Sequence, residues 1–156
     1  MTTGAKRPAA RKEKAGAGTV RAAVASVEIK AAAEAVFKAV SDPLLLPRWA
    51  EPIKAAREKG GRIELDYRRP DRLVTCAAEV RADERSLTVD WIIHLPQETV
   101  KAYSRVVPLQ ERRSAFVFVL ASSPMSEAQA AAEAEQAGKN VAQDMERLKS
   151  LLERSR

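Results

Sequence analysis

The chain is short of the residues on which most side-chain chemistry depends. It has one cysteine, Cys76, and one histidine, His94. A single thiol forms no internal disulfide, and a reducing, cytoplasmic setting is the expectation. One histidine with one cysteine does not make a zinc set, so no metal and no cofactor is expected. No apolar run approaches the roughly 20 residues that a membrane span requires. The basic N-terminus is followed by no apolar stretch of the secretory type. Aromatic residues are scarce, at 4%, although hydrophobic residues reach 46%. Alanine supplies much of that difference. A core built from small side chains leaves space where large ones are absent.

What is present is enough for one globular domain. At 156 residues the chain is long enough to bury a core. Its net charge is +6, but the first 18 residues carry +4 of it, in Lys6, Arg7, Arg11, Lys12 and Lys14 against Glu13. The remainder is close to neutral, so the basic character is largely a tail property and does not argue for specific nucleic-acid binding. Residues 1–18 are Gly, Ala, Lys, Arg and Pro with Thr and read as a disordered basic tail. They hold no large apolar residue that would give a transit peptide its amphipathic face.

From residue 19 onward the pattern is structured. Val20, Val24, Val27 and Ile29 predict a first strand. Val36, Phe37 and Val40 share one face of a helix over 31–40, which Ser41-Asp42-Pro43 stops. Leu44-Leu45-Leu46-Pro47-Arg48-Trp49 is too apolar for an exposed loop and predicts a second short helix under a sheet. Ile53 begins the return to extended structure. Lys59-Gly60-Gly61 is a turn, and Ile63, Leu65 and Tyr67 alternate with Glu64, Asp66 and Arg68. Similar runs follow, carrying Val74, Cys76, Ala78 and Val80, then Leu87, Val89, Trp91, Ile93 and Leu95, then segments over 99–107 and 114–121. Short polar turns at spacings near a dozen residues predict an antiparallel meander. A long helix closes the chain over about 126–154. Val141, Met145, Leu148 and Leu152 form its bulky stripe, Ala134 and Ala137 extend the stripe upstream, and Ser126 with Gln129 makes a capping box. Gly138 inside it marks a bend or a close approach. The fold class is therefore α+β, with a curved antiparallel sheet wrapped around a long C-terminal helix and two short helices after the first strand.

Several segments carry a family resemblance. Ser26-Val27-Glu28-Ile29, Ala35-Val36-Phe37, Ser41-Asp42-Pro43 and Leu46-Pro47-Arg48-Trp49 are similar to the opening of the START-like (SRPBCC) helix-grip superfamily. Val89-Asp90-Trp91, the stretch 104–109 and the closing stretch 148–153 resemble it too, most of all its polyketide cyclase/dehydrase-like branch. The resemblance covers about 20–154, so 19–156 is expected to be a START-like ligand-binding domain. Its motifs are packing and turn positions and mark a fold rather than an activity. Members often carry a proline and a helix starter before the first helix, where this chain has Ala31-Ala32-Ala33, which caps it weakly.

The resemblance implies an apolar cavity between the sheet and the last helix, holding a lipid, quinone or polyketide-like molecule. The residues expected to bind it are Trp49, Tyr67, Trp91, Ile93, Tyr103, Phe116, Phe118, Val141 and Met145. Tyr67 and Trp91 have polar tips able to orient a ligand. Tyr103 shares its face with Lys101 and Arg105, and either face of that strand is compatible with the pattern.

No complete catalytic constellation is visible. His94 and Asp90 lie four residues apart on one strand, roughly 13 Å along it, and cannot touch. Cys76 lies in an apolar set and reads as an inert buried thiol. Arg68-Arg69, Arg72 and Arg112-Arg113 read as solvated turn charges. Two other functions remain open. One is a cyclase or dehydratase drawing its proton transfer from Tyr67, Tyr103, Asp90 or His94. The other is a protein-interaction domain using the tail or the Ala-rich helix face. Oligomeric state is not legible.

Overall fold

The computed structural model describes residues 18, 20–121 and 126–154. The expectation of a disordered tail over 1–18 falls, apart from Gly18, outside the described residues. The elements run β1 (Ala22–Ile29), α1 (Ala33–Val40), a 3₁₀ turn (Pro43–Leu45) and α2 (Leu46–Trp49). Six strands follow: β2 (Ile53–Lys59), β3 (Arg62–Arg68), β4 (Leu73–Asp83), β5 (Thr88–Leu95), β6 (Glu98–Gln110) and β7 (Arg113–Ala121). The long helix α3 (Glu127–Arg154) closes the order. The strands form one antiparallel seven-stranded sheet in the order β1-β7-β6-β5-β4-β3-β2. The first two strands thus occupy opposite edges, and the helices between them carry the chain from one edge to the other. The sheet curls around α3 as the helix-grip pattern implies.

Local chemistry explains the boundaries. Gly60 and Gly61 both have positive φ, at 61° and 78°, which the tight β2–β3 turn requires and which glycine adopts without strain. Asp42 caps the 3₁₀ turn by accepting the Leu44 N–H at 3.0 Å. No side chain caps α1 at Ala32, in keeping with the alanine run there. Ser126 and Gln129 form a reciprocal capping box at the start of α3. The Gln129 N–H donates to Ser126 Oγ at 3.2 Å, and the Ser126 N–H donates to Gln129 Oε1 at 3.3 Å. Leu87 departs from the strand pattern. It lies in the β4–β5 turn with φ 59°, a left-handed conformation costly for leucine. Its carbonyl accepts the Val106 N–H at 2.9 Å, and its side chain still packs on the core.

The core lies between the concave face and α3. Val27, Ile29, Leu65, Val89, Trp91, Val106 and Phe116 face Val141, Met145, Leu148 and Leu151 of the helix. Two buried hydroxyls are satisfied by backbone carbonyls, Ser104 donating to Val89 and Ser114 to Ala31, each at 2.7 Å. Gly138 makes no close approach, since a Cβ added there would meet nothing within 4 Å. Among the described residues, no helix is long and apolar enough to cross a membrane.

Candidate functional site

The concave face is not filled along its whole length. A cavity of about 470 Å³ lies between the sheet, the loop into β2 and the middle of α3. Its apolar wall comes from Leu46, Trp49, Trp91, Ile93, Phe118 and Leu120. Its small-residue wall comes from Ala23, Ala102, Ala121, Ala134 and Ala137. The second set explains the space. Four separate elements present a methyl group where a larger side chain would have reached across.

Trp49 anchors the aromatic wall from the end of α2. Its ring lies edge-on to Trp91, Phe116 and Phe118, with centroids 6.0, 6.1 and 6.4 Å away. Both indole nitrogens are wholly buried and unpaired among the described residues.

Part of the polar lining, around Asp144, is built from three elements. On α3, Asp144 is buried at 7% exposure. Its Oδ1 accepts the Glu51 backbone N–H at 3.1 Å and a hydrogen bond from the Arg147 guanidinium. Burial pushes its carboxyl up to about 6, and the Glu51 N–H and the Arg147 charge oppose the shift without cancelling it. On β3, Tyr67 lines the cavity, and burial raises its phenol, with the charge of Glu98 adding to the effect. At the rim, Arg68 pairs with Glu51, and Arg69 pairs with Glu98 at 2.5 Å. Arg68 first, then Lys54, holds the Glu51 carboxyl below its usual range.

The residues expected from sequence divide three ways. Trp49, Tyr67, Trp91, Ile93, Phe118 and Val141 line the cavity. Phe116 and Met145 do not: at 0% and 1% exposure they form the packed layer beneath it. Tyr103 is a correction. Trp91 faces inward and pairs with Ala102, while Asp90 pairs with Tyr103. The single-residue alternation of a strand therefore turns Tyr103 outward, where it is 43% exposed. The register holds from Thr88 to Leu95, and the irregularity in β6 comes later, between Pro108 and Gln110.

The candidate acid–base residues divide in the same way. His94 is exposed on the outer face, 2.8 Å from Glu79. Asp90 is also outside, by the same alternation. Tyr67 is inside. Cys76 is buried, and burial raises its thiol. Arg68 and Arg69, read from sequence as solvated turn charges, keep much of their exposure and also stand in the cavity rim as halves of ion pairs.

Asp144 was missed. The available signal was its position at i+3 from Val141 and i−4 from Leu148, inside the apolar stripe of α3. A carboxylate at a core-facing position calls for an explanation that its neighbours in sequence do not provide. Glu51 and Glu98 carried no such signal.

Comparison with known proteins agrees with this architecture. The family model described as polyketide cyclase / dehydrase and lipid transport matches residues 21–153. No curated protein matches the sequence. Among solved structures, the chain is similar to the Zhui aromatase/cyclase from Streptomyces sp. R1128, at 15% identity and TM-score 0.69, covering 87% of this chain and 95% of that one. It is similar to a START superfamily protein from Mycobacterium smegmatis, at 17% identity and TM-score 0.62, covering 83% and 98%. It also matches the di-domain ARO/CYC protein BexL at 15% identity and TM-score 0.69, covering 85% of this chain and 46% of that one. The chain therefore spans about half the length of BexL. At these identities the likeness establishes the fold.

Proposed function

This chain belongs to the polyketide cyclase/dehydrase and lipid transport family, and we propose that it binds an apolar small molecule, lipid, quinone or polyketide-like, between the sheet and α3. The observation that carries the reading is the 470 Å³ cavity, walled by aromatic and small apolar side chains with polar groups among its lining. That size lies within the range of small-molecule sites, as does the pairing of an apolar wall with a few polar groups. Burial of apolar ligand surface supplies the driving force, at about 25 cal/mol per Å².

Native mass spectrometry of freshly purified protein is the direct test, together with a thermal-shift screen of fatty acids, quinones and aromatic polyketides. A carried small molecule, or a rise in melting temperature with one class, is the expected result. Ala137→Phe serves as the control. It puts a ring into the cavity from a half-buried position on α3 and is expected to weaken binding tenfold or more. If no class stabilises the wild-type protein and nothing is carried, the reading is wrong.

A second reading has one specific observation in its favour. Tyr67 and Asp144 bring two proton-transferring groups to the same cavity, and the carboxyl at about 6 lies near working pH. This is the constellation that a cyclase or dehydratase acting on a bound polyketide-like substrate needs. Turnover of a poly-β-ketone substrate that falls at least a hundredfold in both Asp144→Asn and Tyr67→Phe supports it. Equal turnover in the variants refutes it.

A further inference from the structure

Resting on the reading of the cavity as a binding site, we propose that Asp144 selects ligands that present a hydrogen-bond donor, an O–H or N–H, at one end of an apolar body. The argument begins with which oxygen is used. Both bonds to this carboxylate go to Oδ1: the Glu51 backbone N–H at 3.1 Å and the Arg147 guanidinium. Among the described residues no donor bonds to Oδ2. The residue lines the cavity, and its side chain keeps 11% of its accessibility. The polar side-chain atoms both wholly sealed and unpaired are the two indole nitrogens, and Oδ2 is not one of them. Asp144 keeps some accessible surface, and it is one of the residues that line the cavity.

An ionised carboxylate oxygen against an apolar wall is costly unless a donor meets it. Three cations of this region are already engaged. Arg147 is held on Oδ1, Arg68 is engaged by Glu51, and Arg69 by Glu98. The other charged or titratable groups around Asp144 are Glu51 on the loop into β2 and Tyr67 on β3. An occupant fills the gap if it carries a donor. One that carries ether or ester oxygens alone sets lone pair against lone pair. Arg147 already supplies a counter-charge on the far oxygen, so a neutral hydroxyl is sufficient. An ammonium is the other source of the same donor chemistry.

The test uses the full chain and three naphthalene probes of matched shape: 2-naphthol, 2-methoxynaphthalene and 2-(aminomethyl)naphthalene. Trp49 and Trp91 are the chain's two tryptophans and both form the cavity wall, so quenching of their emission reads occupancy directly. At pH 7.5 the naphthol is expected to bind at least tenfold more tightly than its methyl ether. The aminomethyl probe distinguishes ammonium from neutral donors by whether it binds above or below the naphthol. In Asp144→Asn, whose amide N–H₂ can occupy the place of Oδ2, the preference for naphthol over ether is expected to disappear or reverse. Acidification of the wild type below about pH 6 is expected to narrow the same preference, because a protonated carboxyl donates to the ether oxygen. Equal binding of naphthol and ether by the wild type overturns the selection by Asp144 and leaves the cavity reading standing. Failure of all three to quench also overturns the selection, and the cavity reading then stands or falls with the native mass spectrum and the thermal-shift screen.

Discussion

The two halves of α3 meet the same sheet and do different work. From Val141 onward the helix buries Val141, Met145, Leu148 and Leu151 against the concave face, and Leu148 retains no exposure. Before Val141 the buried position is Ala130, with Ala134 and Ala137 half-buried, and space opens beneath them. The periodicity is continuous across both halves, so the difference lies in side-chain volume. Bulky residues share the core cluster with Phe116 and Ile29 and close it. Alanines at the same spacing keep the helix in place while leaving a void. A single helix thus acts as a core element at one end and as the roof of a cavity at the other, and Asp144 stands at the junction.

The contrast can be broken most severely from the packed half. Leu148→Ala removes a side chain with no exposure and is expected to cost about 2–5 kcal/mol, read as a lowered denaturation midpoint. A smaller loss, on the scale of an exposed site, would mean that both halves are loosely packed.

The junction gives the next effect, and its sign is set by Asp144. The carboxyl titrates near 6 in the folded chain instead of 3.8. Between those values the folded state holds a proton that the unfolded chain has released. Stability therefore falls as pH rises from about 4 to about 6 and is level above that. The span is on the order of 3 kcal/mol at most. Asp144→Asn removes this slope, so the variant gains on the wild type by a few kcal/mol across the window, whatever the constant cost of losing the Arg147 pair. Melting temperatures at stepped pH test it, and parallel profiles for the two proteins would contradict it.

The smallest effect sharpens the roof half. Gly138 stands inside the helix with open space around its missing Cβ. Gly138→Ala is expected to raise stability by about 0.5–1 kcal/mol, through the helix preference and a less flexible unfolded chain. Because nothing is filled, ligand occupancy should be unchanged. A loss of binding would assign this glycine a role in opening the roof.

Most of the architecture was legible because it rests on short-range signals. Alternation in Val89, Trp91, Ile93 and Leu95 set the inward face of β5, and Ser126 with Gln129 marked the start of α3. The site was legible in part. Trp49, Tyr67, Trp91, Ile93, Phe118 and Val141, expected from the apolar face, line the cavity. Phe116 and Met145 share that face but lie a layer deeper, a distinction of depth that periodicity does not carry. Tyr103 was misplaced because β6 bears mixed residues on both faces, and pairing with β5 decides which one turns inward.

The sequence by itself determined the elements, their order, the absence of a disulfide and a surplus of small apolar residues. Each of these follows from composition or from neighbours within a few positions. Only the tertiary structure decided where the small residues coincide to leave a cavity and which charges stand in its lining. Asp144 receives the backbone N–H of a residue 93 positions away, and Arg69 pairs with Glu98 across 29. Burial of a carboxylate, and with it the shift of its titration, is a property of everything folded around it.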